Sequence, residues 1–157
     1  MGMDRIGSIS MSDLPRTKRR SGIPTGNAGE YFVMGELLRR GFDAQLADRN
    51  TKGYDILVGE HDAEHLQKVQ VKTVRAAPWY VNQSSFKDKG LDQITVYVLL
   101  GPENSKASVR YFIARNRDLE PFLYIPKSGS WTANAFMRLQ YLLPHEGQWA
   151  LFSKDNN

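Results

Sequence analysis

A chain of 157 residues, 41% hydrophobic and 24% charged, suits one domain with a core of its own and argues against global disorder. The absence of cysteine excludes a disulfide framework, thiol catalysis and every Cys-based zinc site, and it matches a reducing, cytoplasmic setting. A net charge of +4 is compatible with a polyanionic partner, while no apolar run approaches the roughly 20 residues that span a bilayer and residues 1–11 hold no continuous apolar signal core, so neither membrane insertion nor secretion is expected.

Residues 1–22 read as a flexible arm rich in Ser, Gly and Pro, with a basic knot at Arg16, Lys18, Arg19 and Arg20. The knot suits either contact with phosphates or a solvated tail kept soluble by charge. Residues 23–157 read as a single domain. From Gly26 the pattern turns helical: Asn27 fits an N-cap, Glu30 three residues on completes a capping box, and Tyr31, Val33, Met34, Leu37 and Leu38 supply an apolar series. Arg39, Arg40 and Gly41 close that helix.

Phe42–Leu46 alternates like a short strand, and Asp48–Gly53 has turn chemistry. Strands are expected at Tyr54–Val58 and Lys68–Val74, joined by a polar loop with His61, Asp62, Glu64 and His65. The His61/His65 spacing would align two zinc ligands on a helix, but the segment is short and polar, so a solvated hairpin loop is expected. Residues 76–93 form a longer polar stretch containing Trp79 and Tyr80, which either stack on unpaired bases or pack against the sheet edge. Ile94–Leu100 is the most apolar strand and is placed at the centre of the sheet. Val109–Ala114 follows as a strand and Arg117–Leu123 as a short helix. Residues 133–143 are expected to be helical or irregular, with Trp131 and Trp149 covering the core. This order predicts an α/β fold: a mixed central sheet flanked by helices.

The informative residues are polar ones that interrupt apolar strands. Asp55 begins the strand Asp55-Ile56-Leu57-Val58, and Val69-Gln70-Val71-Lys72 follows fifteen residues later. Residues two apart on a strand share a face, so Gln70 and Lys72 point the same way, and a hairpin would bring Asp55 beside them. Phosphodiester hydrolysis needs a hard cation to polarise the phosphoryl oxygen and activate water. Magnesium takes oxygen ligands, typically one or two carboxylates with water and substrate. Asp55 could supply the carboxylate, Gln70 a neutral oxygen, and Glu30 a contact through metal-bound water; Lys72 could orient the attacking water and stabilise phosphate charge. The capping and site readings of Glu30 are compatible. Neither a Gly-rich phosphate loop nor a nucleotide fingerprint occurs, so an organic cofactor is not expected.

Gly29-Glu30, the helix ending in Leu38-Arg39-Arg40-Gly41-Phe42, Gly53-Tyr54-Asp55 and Gln70-Val71-Lys72 together resemble the core of the PD-(D/E)XK nuclease superfamily, in the flavour of small resolvase-like and uncharacterised bacterial members. The resemblance covers about a third of the chain. It implies a restriction-endonuclease-like sandwich, DNA as substrate, Mg2+ or Mn2+ as cofactor, a homodimer, and catalytic roles for Glu30, Asp55, Gln70 and Lys72, with Glu30, Asp55 and Gln70 around the metal. One departure stands out. The family's second acidic residue is Gln70 here, which removes a negative charge from the site and weakens cation binding. Two functions are therefore expected to compete: a metal-dependent DNA-hydrolysing enzyme, and a weak or inactive nuclease-fold module that binds nucleic acid or a protein partner.

Overall fold

The computed structural model describes residues 22–59, 66–127 and 134–153. The basic knot, the His61/His65 loop and Trp131 lie outside the described residues. Pro24 suits the first turn of a helix, where a missing N–H has no intrahelical partner to lose. Helix α1 accordingly runs Ile23–Arg39, with Gly22 as N-cap and no side-chain cap. This corrects the expected start: Asn27 and Glu30 lie inside the helix, and no capping box forms.

The other end of α1 follows the sequence reading. Gly41 takes φ +88°, a conformation that suits glycine. The Gly41 N–H then bonds Leu38 O and the Phe42 N–H bonds Leu37 O, both at 3.0 Å, closing the helix in a Schellman motif. Val33 and Leu37 are buried and Met34 packs beside them, whereas Tyr31 and Leu38 turn out to be exposed.

The remaining elements are β1 (Asp43–Leu46), β2 (Ile56–Gly59), β3 (Gln67–Val74), β4 (Trp79–Asn82), β5 (Ile94–Leu99), β6 (Arg110–Arg115), α2 (Asn116–Leu119), β7 (Asn134–Met137) and α3 (Leu139–Leu142). Five strands form a mixed sheet in the order β1-β2-β3-β5-β6. β1, β2 and β3 pair antiparallel in sequence; β3 and β5 are parallel; β5 and β6 are antiparallel. β3, not β5, is the middle strand. β5 is nonetheless buried from Ile94 to Val98, because both sheet faces are covered there.

Alternation along the strands divides the interior in two. On one face Ile56, Val58, Val69, Val71, Ile94, Val96, Val98 and Ile113 pack against α1, with Trp149 and Phe152 completing the layer. On the other face Tyr97, Phe112 and Ala114 pack against a second sheet made of β4 and β7, together with Leu119 of α2 and Leu142 of α3. Trp79 is fully buried there. Its indole N–H donates to Val98 O at 3.2 Å, and its ring meets Tyr97 and Phe112 edge-on at 5.9 Å. Packing is thus the role of Trp79, while Tyr80 faces outward.

Of residues 133–143, expected to be helical or irregular, Leu139–Leu142 is helical as α3, whereas Asn134–Met137 is a strand, β7. Ala135 and Met137 alternate inward against Val81 and Trp79, and Asn134 and Phe136 point out. The expected helix at Arg117–Leu123 is instead α2 followed by a 3-10 turn, Glu120–Phe122.

Candidate active site

The site begins with a close approach. Gly29 of α1 sits against Thr73 of β3, where any Cβ would overlap the Thr73 hydroxyl. Only a glycine lets the helix come this near. The next residue, Glu30, lies within electrostatic reach of Asp55.

β2 supplies the second component. Ile56 pairs with Val69, which places Asp55 one step further along, beside Gln70. Here the two strands part. The Asp55 N–H still bonds Val69 O at 2.9 Å, but the next inward-facing donor on β3, the Val71 N–H, meets the Asp55 side chain instead of a strand. Asp55 Oδ2 accepts that N–H at 2.8 Å and the Gln70 Nε2–H at 2.6 Å. The carboxylate thus fills the wedge opened where β2 leaves β3.

Glu30 and Asp55 line one cleft of about 330 Å³, with Ile23, Asn27, Asp48 and Tyr54 among its walls. Burial pushes the Glu30 carboxyl above its usual range, and the Asp55 charge raises it further. Burial also raises Asp55, against the Val71 N–H and the positive charge of Lys72, which both lower it. Two half-buried carboxylates therefore share a space in which neither ionises comfortably.

Of the four residues singled out in the sequence, the structure brings Asp55 and Gln70 into direct contact and places Glu30 and Lys72 within electrostatic reach of Asp55. Gln70 and Lys72 share the β3 face that points away from α1. Glu30 comes from α1 and lines a cleft with Asp55, a cleft that neither Gln70 nor Lys72 lines.

The donor set fits a hard divalent cation. Glu30 and Asp55 give two carboxylates, the number magnesium usually takes, and a cation there would relieve the raised pKa values of both. Gln70 uses its N–H2 on Asp55, which leaves its amide oxygen as the neutral donor. Among the described residues no group of three His, Asp or Glu side chains gathers as a denser metal cluster.

Asn116 was not legible as important, yet it supports the surroundings of the site. It is buried at the junction of β6 and α2, accepts the Thr95 hydroxyl at 2.7 Å, and donates to Ser85 O and Gly90 O at 3.0 and 2.9 Å. These bonds pin the two 3-10 turns, Gln83–Phe86 and Asp88–Asp92, to the sheet end. An isolated Asn at the end of a strand gives little sequence signal for such a role.

No protein-family model matches the sequence, and no curated protein matches it. Among solved structures, a Holliday junction resolvase, Hjc of Archaeoglobus fulgidus, is similar at 18% identity and a TM-score of 0.46, over 74% of this chain and 86% of its own. A bacterial homing endonuclease is similar at 14% identity and a TM-score of 0.47, over 83% of this chain and 91% of its own.

Proposed function

We propose that the Glu30–Asp55 cleft is a divalent-cation site at which this protein hydrolyses DNA phosphodiester bonds. The observation that carries this reading is the Asp55 carboxylate lodged in the wedge between β2 and β3, with Gln70 bonded to it and Glu30 and Lys72 beside it. Glu30 of α1 and Asp55, just ahead of β2, line one cleft, and Gln70 and Lys72 of β3 reach it through Asp55, by a hydrogen bond and by charge.

Magnesium or manganese, when bound, supplies Lewis acidity toward the phosphoryl oxygen and lowers the pKa of water. The chain's own residues do the rest. Asp55 would be the anchoring ligand, its Oδ2 held by the Val71 N–H. Gln70 holds the Asp55 carboxylate in place, and Glu30 would supply the second carboxylate for the cation. The Lys72 ammonium orients the attacking water and offsets charge that develops on the phosphate.

The test is cleavage of a plasmid and of branched and linear duplexes with Mg2+ or Mn2+. Asp55→Ala and Lys72→Ala should each lower cleavage by roughly 10²-fold or more, the scale for losing one electrostatic contributor. Circular dichroism should remain that of the parent. Cleavage that survives both substitutions overturns the proposal. DNA binding without cation-dependent cleavage identifies a binding module instead, the outcome that the neutral Gln70 favours.

A further inference from the structure

A second cavity, about 740 Å³, lies beside the carboxylate cleft and shares Tyr54 with it. Its walls carry Lys52, Lys68, Lys89 and Arg115. Among the described residues, the one acidic residue lining it, Asp92, is committed to Arg117 at 2.7 Å, and that ion pair holds the Asp92 carboxyl below its ordinary range. Among the described residues Lys52, Lys68 and Lys89 form no ion pair. Arg115 is steadied at the rim by the Asp92 carbonyl at 3.0 Å. Lys68 lies with its ammonium 5.2 Å from the Tyr54 ring centroid.

The register ties this basin to the cleft. Lys68, Gln70 and Lys72 alternate along β3 and share a face, so Lys68 stands about 7 Å before Gln70. That spacing is comparable to the distance between neighbouring phosphates of a nucleic-acid strand. We infer that the basin formed by Lys52, Lys68, Lys89 and Arg115 seats the backbone phosphates of DNA next to the one placed at Asp55. The inference rests on the nuclease reading for its ligand but makes a claim of its own, because the basin needs neither metal nor catalysis to bind.

The experiment is fluorescence anisotropy of labelled duplex DNA with the full chain in EDTA, across a salt titration. Charges elsewhere on the chain then contribute equally to every variant. Lys68→Gln and Lys89→Gln should each weaken binding and lower the slope of log K against log salt by roughly 0.9, the value for one neutralised phosphate contact. Lys106→Gln, in the turn at the opposite end of β5, should leave the slope unchanged. Unchanged slopes for the basin variants, or an equal loss from Lys106→Gln, overturn the inference. The two proposals fail separately: a protein that cleaves but binds independently of the basin sinks this one, and a protein that binds through the basin without cleaving sinks the other.

Discussion

Gln70 donates its side-chain N–H to Asp55 across 2.6 Å, at the last step before β2 and β3 separate. A neutral donor here performs part of the service a cation would, holding the carboxylate in place in a metal-free protein. Exchanging it for an acid changes the balance. Gln70→Glu sets two carboxylates at contact distance, where both ionise only at a cost. In EDTA the variant should lose about 1–3 kcal/mol, a fall of several degrees in Tm. Mg2+ should return more stability to the variant than to the parent, with tighter binding. Thermal melts across a Mg2+ titration measure both effects, and an equal Mg2+ response in the two proteins would contradict this account.

Gly29 makes a separate prediction about packing. Gly29→Ala forces its new methyl onto Thr73 and should destabilise the protein by roughly 1–3 kcal/mol. Gly35, on the same helix, faces open space, so Gly35→Ala should stabilise by about 0.5–1 kcal/mol. Denaturant melts of the two variants should therefore move in opposite directions. Stabilisation of both would mean that helix propensity, not the α1–β3 approach, governs both.

The cleft also makes stability depend on pH. The folded Glu30 carboxyl has its pKa raised by burial and by Asp55, so the fold favours its protonated form. Such a group contributes most in acid, and its contribution is lost as pH rises through the folded pKa. At neutral pH its ionised form works against folding. Glu30→Gln should thus raise the Tm of metal-free protein at neutral pH, and the gain should vanish well below the ordinary value of 4.5. A gain that persists unchanged in acid would exclude titration of Glu30 as its source.

The parts of this fold that sequence exposes are those with a local cause. Gly41 ends α1 because its φ of +88° suits glycine, and Asp55 meets Gln70 because alternation and a hairpin register leave them no other arrangement. The start of α1 was misread because Asn27 and Glu30 match a capping pattern by spacing alone, while Pro24 suits the first turn of a helix that begins further back, at Ile23. β7 was missed for a different reason. Ala135 and Met137 are buried only because Trp79 and Val81 on β4 lie opposite, and neither four-residue segment announces its partner. The place of β5 was misjudged because continuous apolarity reports coverage of both faces, not distance from the sheet edge. The basin at Lys68 had a signal in the alternation Lys68, Gln70, Lys72. Lys52, Lys89 and Arg115 join it only through tertiary structure.

The division of the interior into two layers has a spectroscopic consequence. Trp79 lies in the layer beneath β4 and β7, sealed from solvent among aromatic rings, whereas Trp149 lies in the layer beneath α1, with the Arg40 guanidinium 4.7 Å above its ring. The two indoles occupy media of different polarity on opposite sides of one sheet, so their emission differs in colour and in susceptibility to quenching. With Trp131 replaced, the molecule carries one tryptophan per layer, and the loss of either layer can be followed by selective indole emission without an added label.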